Sequence, residues 1–94
     1  MPRMDVVDVA RTWTQLTAND VTSITFQNIS KYRIEVMGTV GATPPAVSGF
    51  AYIPAEGELN VLMTDLFPGV SGANRVWGRA SLYDGVLSVL VSHA

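Results

Sequence analysis

The chain has 94 residues, enough for one domain and too few for two cores. It is 48% hydrophobic and only 15% charged, against about 25% charged in an average soluble domain, so a second copy or another protein is the simplest cover for its apolar surface. A net charge of −2 with no run of basic residues gives no positive footprint for nucleic acid, and the lack of cysteine excludes disulfide and thiol chemistry.

No apolar run approaches the ~18–20 residues that cross a bilayer. Residues 1–12, MPRMDVVDVART, mix acids into the apolar positions and do not read as a signal peptide. The expectation is a chain made in a cytoplasm that stays soluble or assembled, with neither membrane nor nucleic acid as partner.

Residues 1–11 read as an N-terminal arm. Val6, Val7 and Val9 are interrupted by Asp5 and Asp8, and such a segment can pair onto a sheet edge, reach a neighbour or form a short helix. From residue 12 the pattern becomes β, so residues 12–94 are read as the domain proper. Thr12 to Leu16 is a short strand anchored by Trp13, and Thr17-Ala18-Asn19-Asp20 is turn chemistry. Val21 to Asn28 alternates, with Ile24 and Phe26 on one face. Tyr32 to Val40 alternates again, with Tyr32, Ile34 and Val36 opposed to Arg33 and Glu35. This period of two, rich in β-branched residues, is the mark of half-buried strands.

Gly41-Ala42-Thr43-Pro44-Pro45 cannot be strand interior, because two consecutive prolines supply no backbone donors. It predicts a stiff loop. Val47 to Ile53 follows as a strand with Phe50 and Tyr52 on one face, then Glu58 to Met63 with Leu59, Val61 and Met63 on one face. Thr64 to Gly69 predicts a single helical turn capped by Thr64 and ended by Pro68-Gly69. Asn74 to Leu82 is a long strand: Val76, Gly78, Ala80 and Leu82 share one face, Arg75, Trp77, Arg79 and Ser81 the other. Tyr83-Asp84-Gly85 is a hairpin signal. Val86 to Ser92 is apolar on both faces and belongs inside a sheet or beneath a partner. Six or seven strands, with turns every 8–12 residues and no helical periodicity, predict an all-β antiparallel sandwich or small barrel.

Little reactive chemistry is gathered anywhere. His93, the one histidine, sits next to last and has nothing in the sequence to orient it as a base; it reads as a solvated or interface residue. The zinc-ligand residues cysteine and histidine are missing or single, no calcium loop is written, and the close acidic pairs Asp5/Asp8 and Glu56/Glu58 read as solvated. There is no G-x-S-x-G and no phosphate loop after Gly38-Thr39-Val40-Gly41. No catalytic residue, metal site or cofactor is therefore assigned, and an enzyme is disfavoured. Trp77 with Arg75 and Arg79 is the aromatic–cationic face to watch, because tryptophan and arginine anchor protein interfaces; a sugar-stacking platform is the alternative.

Trp13-Thr14-Gln15-Leu16-Thr17, Ile24-Thr25-Phe26-Gln27-Asn28, Gly38 to Pro45, Leu66-Phe67-Pro68-Gly69-Val70 and the tail Val89 to Ala94 resemble small virion proteins of tailed phages and phage-like particles of alphaproteobacteria. The resemblance covers about residues 12–94 and rests on turns and strand anchors. It implies a capsid decoration (cement) protein on the virion surface, made in the host bacterial cytoplasm, that bridges major capsid protein subunits and sits as a homotrimer. The alternative is a tail, neck, baseplate or head-spike component, one that binds host-surface glycan. Interface residues expected on this reading are Val6, Val7 and Val9 in the arm, Pro44 and Pro45 in the stiff loop, and Arg75, Trp77 and Arg79 on the sheet.

Overall fold

A computed structural model describes residues 3–17, 20–46, 48–81 and 84–93. The alternating segments form eight strands: β1 (Arg3–Val9), β2 (Thr14–Gln15), β3 (Ser23–Asn28), β4 (Ile34–Thr39), β5 (Phe50–Tyr52), β6 (Gly57–Leu62), β7 (Arg75–Ala80) and β8 (Leu87–His93), with one helical turn, α1 (Met63–Leu66), between β6 and β7. They make two antiparallel four-stranded sheets, ordered β1-β8-β3-β6 and β2-β7-β4-β5, packed as a sandwich. The first sheet is thus β1-β8-β3-β6 and the second β2-β7-β4-β5.

Pleating sends alternate side chains to opposite faces, and the inward set fills the space between the sheets. Val7, Val9, Ile24, Phe26, Leu87, Val89 and Val91 come from the first sheet; Leu16, Ile34, Val36, Val76 and Ala80 come from the second sheet and the chain beside it. Met63 and Phe67 close the core from the α1 turn. A β-carbon on Gly38 would overlap the Phe67 ring, so the glycine is what lets that ring lie against β4.

The sandwich has eight strands rather than six or seven because the segment read as an arm supplies β1. All seven of its residues pair with β8, from Arg3 opposite His93 to Val9 opposite Leu87. Of the roles open to that segment, the one seen here is pairing onto a sheet edge of its own chain. β8, expected to be apolar on both faces, does lie inside its sheet between β1 and β3, but only its inward face (Leu87, Val89, Val91) is apolar throughout; Ser88 and Ser92 flank Leu90 on the other.

Three local expectations are corrected. Asp84-Gly85 does not close a hairpin: β7 and β8 belong to different sheets, so this connection crosses the sandwich; Leu82 and Tyr83 lie outside the described residues. The helical turn starts at Met63, with Leu62 before it and no side-chain cap, because burial of Met63 and Phe67 holds the turn in place of a Thr64 cap. Leu59 does not share a face with Met63. Phe26 pairs with Glu58 and Ile24 with Val61, so β6 spends one extra residue there as a bulge. Asn60, in the left-handed region at φ 50°, absorbs the irregularity, and its N–H donates to Thr25 Oγ1 at 2.7 Å. Leu59 is turned outward and is 83% exposed.

Candidate protein-docking faces

The outer face of the second sheet carries the aromatic–cationic row expected from sequence, and the chain has used most of it. In register, Glu35 lies opposite Arg79, Met37 opposite Trp77 and Thr39 opposite Arg75. Arg79 donates to Glu35 Oε1 at 3.0 Å, and its guanidinium carbon stands 4.4 Å from the centroid of the Trp13 ring. The same Glu35 oxygen accepts the Gly49 N–H at 3.1 Å. Burial alone would raise the Glu35 carboxyl; the Gly49 N–H, the hydrogen bond and charge of Arg79 and the Ser81 side chain outweigh it and hold the group below its ordinary value. Arg75 pairs with Asp20 at 2.7 Å. The Trp77 indole N–H donates to Thr39 Oγ1 at 2.8 Å, and the residue is 7% exposed.

The expected interface residues are therefore not brought into one surface. Val7 and Val9 are core side chains, whereas Val6, on the opposite side of the same strand, is exposed. Trp77 is buried, so it is not a flat platform for a sugar. Arg75 and Arg79 are half-buried in ion pairs of their own chain. Pro44 is exposed and Pro45 half-buried in the loop between β4 and β5. That loop is anchored at its start, where Gly41 N–H donates to Asn74 Oδ1 at 2.7 Å. His93, read as solvated or at an interface, is 6% exposed and so is not solvated; its place on β8 opposite Arg3 puts it in the pleat with Val89 and Val91.

The outer face of the first sheet is different. Its outward positions are Val6 and Asp8 on β1, Ser88, Leu90 and Ser92 on β8, Ser23, Thr25 and Gln27 on β3, and Leu59 and Leu62 on β6. Among the described strand positions, Asp8 is the one charge on this face, and it lies on the edge strand, accepting from Ser88 Oγ at 3.2 Å. Val6, Leu59 and Leu62 are each about half exposed or more. A groove of about 320 Å³ runs beside Leu59, lined by Thr25, Phe26, Gln27, Leu90 and Ser92 and, on the β6 side, by Glu58. Sequence reasoning flagged Leu90 through its strand, read as apolar on both faces, but missed Leu59; the available signal was Asn60, a residue type that tolerates the left-handed backbone a bulge needs.

A third feature is a shallow cleft of about 510 Å³ where the edge strands β5 and β6 leave the sandwich open, lined by Phe50, Tyr52, Glu56, Glu58 and Leu66 among others. Tyr52 Oη donates to Glu58 Oε2 at 3.1 Å, and its ring meets Phe26 edge-on at 4.9 Å. Burial, then the charge and hydrogen bond of Glu58, push the Tyr52 phenol well above its ordinary value. Among the described residues, no three His, Cys, Asp or Glu side chains gather as a metal site, and no helix is long and apolar enough to cross a membrane.

Comparison of the chain with known protein families, with curated proteins and with solved structures finds no match.

Proposed function

We propose that this chain is a structural assembly protein that works by packing against other protein subunits, and that its place is the surface of a tailed-phage head, where it bridges major capsid subunits as a decoration protein. The observation that carries the packing role is the outer face of the first sheet. The core is filled from the opposite side of the same strands, yet Val6, Leu59, Leu62 and Leu90 face outward among serine, threonine and glutamine, with Asp8 on the edge strand and Glu58 in the groove as the charges beside them. Covering such a surface is worth about 25 cal/mol per Å² of apolar area removed from water, and contiguous apolar surface marks interaction sites on soluble domains. The head location is supported by the resemblance of residues 12–94 to small virion proteins.

In this role the mechanism is mechanical. Each docked copy adds contact area that shell expansion or internal pressure must break. Quantifying the chain in purified particles tests it: a copy number in the hundreds, matching the shell lattice, is expected, and a handful of copies overturns it.

The β5/β6 cleft favours a second reading, a tail or spike component that binds host glycan, since aromatic rings beside carboxylates are groups that contact sugars. Selective binding on a glycan array, lost in Tyr52→Ala, would support that reading over the first.

A further inference from the structure

We propose that the recess at one end of the sandwich, between the β3–β4 turn and the start of β8, docks a segment of a partner protein in which a carboxylate is flanked by apolar side chains. The recess shares Ser88 with the outer face of the first sheet and no residue with the β5/β6 cleft. The inference goes beyond the virion reading and does not depend on it.

Charge selects the partner. Arg11, Arg75 and Arg79 each pair with an acid of their own chain. Lys31 and Arg33 are exposed and make no ion pair with a described residue. Lys31 lines the recess, about 240 Å³ in volume, with Ile29, Tyr32, Val86 and Ser88, and Arg33 follows in the same turn. Two acids belong to this end of the chain and both are engaged: Asp8 accepts from Ser88 Oγ, and Asp84 from Arg11. An incoming carboxylate is therefore drawn to the Lys31 side, away from Asp8.

The walls select the flanking residues. Ile29, Tyr32 and Val86 are each about half exposed or more, so a partner that covers them gains by removing apolar area from water. The hydroxyls of the recess are already committed, Ser30 Oγ to Asn28 Oδ1 and Ser88 Oγ to Asp8. A free inorganic anion would find the Lys31 ammonium there and little else. An acidic segment with apolar neighbours uses both the charge and the walls.

The turn is fixed before a partner arrives. Buried Asn28 accepts from the Ser30 N–H and donates to the Tyr32 carbonyl, while the Ile29 N–H donates to the Ser88 carbonyl and the Ser81 N–H to the Arg33 carbonyl. Docking onto a turn held in this way orders little backbone and costs little entropy. An anionic bilayer is the poorer fit, because basic segments that bind such surfaces gather four to eight cations, and here the apolar side chains line a hollow.

Fluorescence anisotropy of the full chain with a labelled, acetylated heptapeptide of alternating leucine and aspartate tests this. Saturable binding that weakens with added salt is expected, with none to the peptides that carry lysine for aspartate or serine for leucine. Lys31→Glu should weaken binding at least about tenfold, since it turns attraction into repulsion, and Val86→Ser about fivefold, with the circular dichroism spectrum unchanged. Leu59→Ser, on the outer face of the first sheet, should leave binding as it is. No binding of the acidic peptide, affinity unmoved by both Lys31→Glu and Val86→Ser, or equal loss in Leu59→Ser overturns the proposal. So does co-sedimentation with phosphatidylserine vesicles in place of peptide binding. The particle count described above is a separate measurement, so failure of this site and failure of the head location are told apart.

Discussion

Arg79 stands 4.4 Å over the Trp13 ring while its guanidinium reaches Glu35 at 3.0 Å, so one side chain ties β7 to β4 and to the segment before β2. The contact joins residues 66 positions apart in the sequence, on the outer side of the second sheet. Both charged partners are largely shielded, with 28% and 16% of their side chains exposed. Arg79→Ala removes the cation–π contact and leaves a shielded carboxylate without its cation. It should cost about 1–3 kcal/mol in urea unfolding. Arg79→Lys should recover only part of that, because a point charge cannot both cover the ring and present a planar fork to the carboxylate.

The same carboxylate predicts an acid limb. The Glu35 pKa is lower in the folded chain than its ordinary value of 4.5. The folded state therefore holds fewer protons than the unfolded one in this window, and stability rises with pH. The contribution is fully present above about pH 4.5 and is lost as pH falls through the lowered folded value. Glu35→Gln should shrink the stability difference from wild type between neutral pH and about pH 3, measured as the urea midpoint against pH. An unchanged slope would show that Glu35 does not carry this limb.

Asn28 is fully buried, and its amide donates to the carbonyls of Tyr32 and Tyr52 at 2.8 and 2.9 Å. Its side-chain oxygen accepts from the Ser30 N–H and hydroxyl. Its backbone also pairs with Glu56 and Ala55, so one residue fastens three stretches of chain around the ends of β3, β5 and β6. Asn28→Asp keeps the shape but sets a carboxylate against two carbonyl oxygens. It should destabilise by about 3 kcal/mol or more at neutral pH and by more than Asn28→Ser, read by thermal or urea unfolding.

Gly38 and Phe67 form a matched pair, since a β-carbon at 38 would overlap the ring. Gly38→Ala should destabilise by about 1–3 kcal/mol through overpacking. Phe67→Leu alone should cost a similar amount through lost packing. In combination the two should be less harmful than their sum, because the smaller side chain makes room for the methyl group. A double-mutant cycle measures that coupling directly.

The strands were legible because alternation is local: Ile24 and Phe26, Ile34 and Val36, Val76 and Ala80 each face the core as their spacing predicts. Element ends were less legible. Tyr32 continues the alternation of β4 yet lies outside the strand and is about half exposed, since where a strand stops depends on what is left to pair with. The candidate surface was the least legible part. Val6 and Val7 look alike in sequence, and only the pairing of β1 with β8 sends one to water and the other to the core.

The sequence by itself determined that the chain folds as β, that the charge is sparse and that no reactive cluster is written into any short segment, because these follow from composition and a two-residue period. Tertiary structure alone decided that the two ends of the chain lie side by side as β1 and β8, that Trp77 is sheltered rather than offered, and that one bulge throws Leu59 outward. These are relations between residues far apart in the chain, set by how two sheets close over one core, and no local pattern contains them.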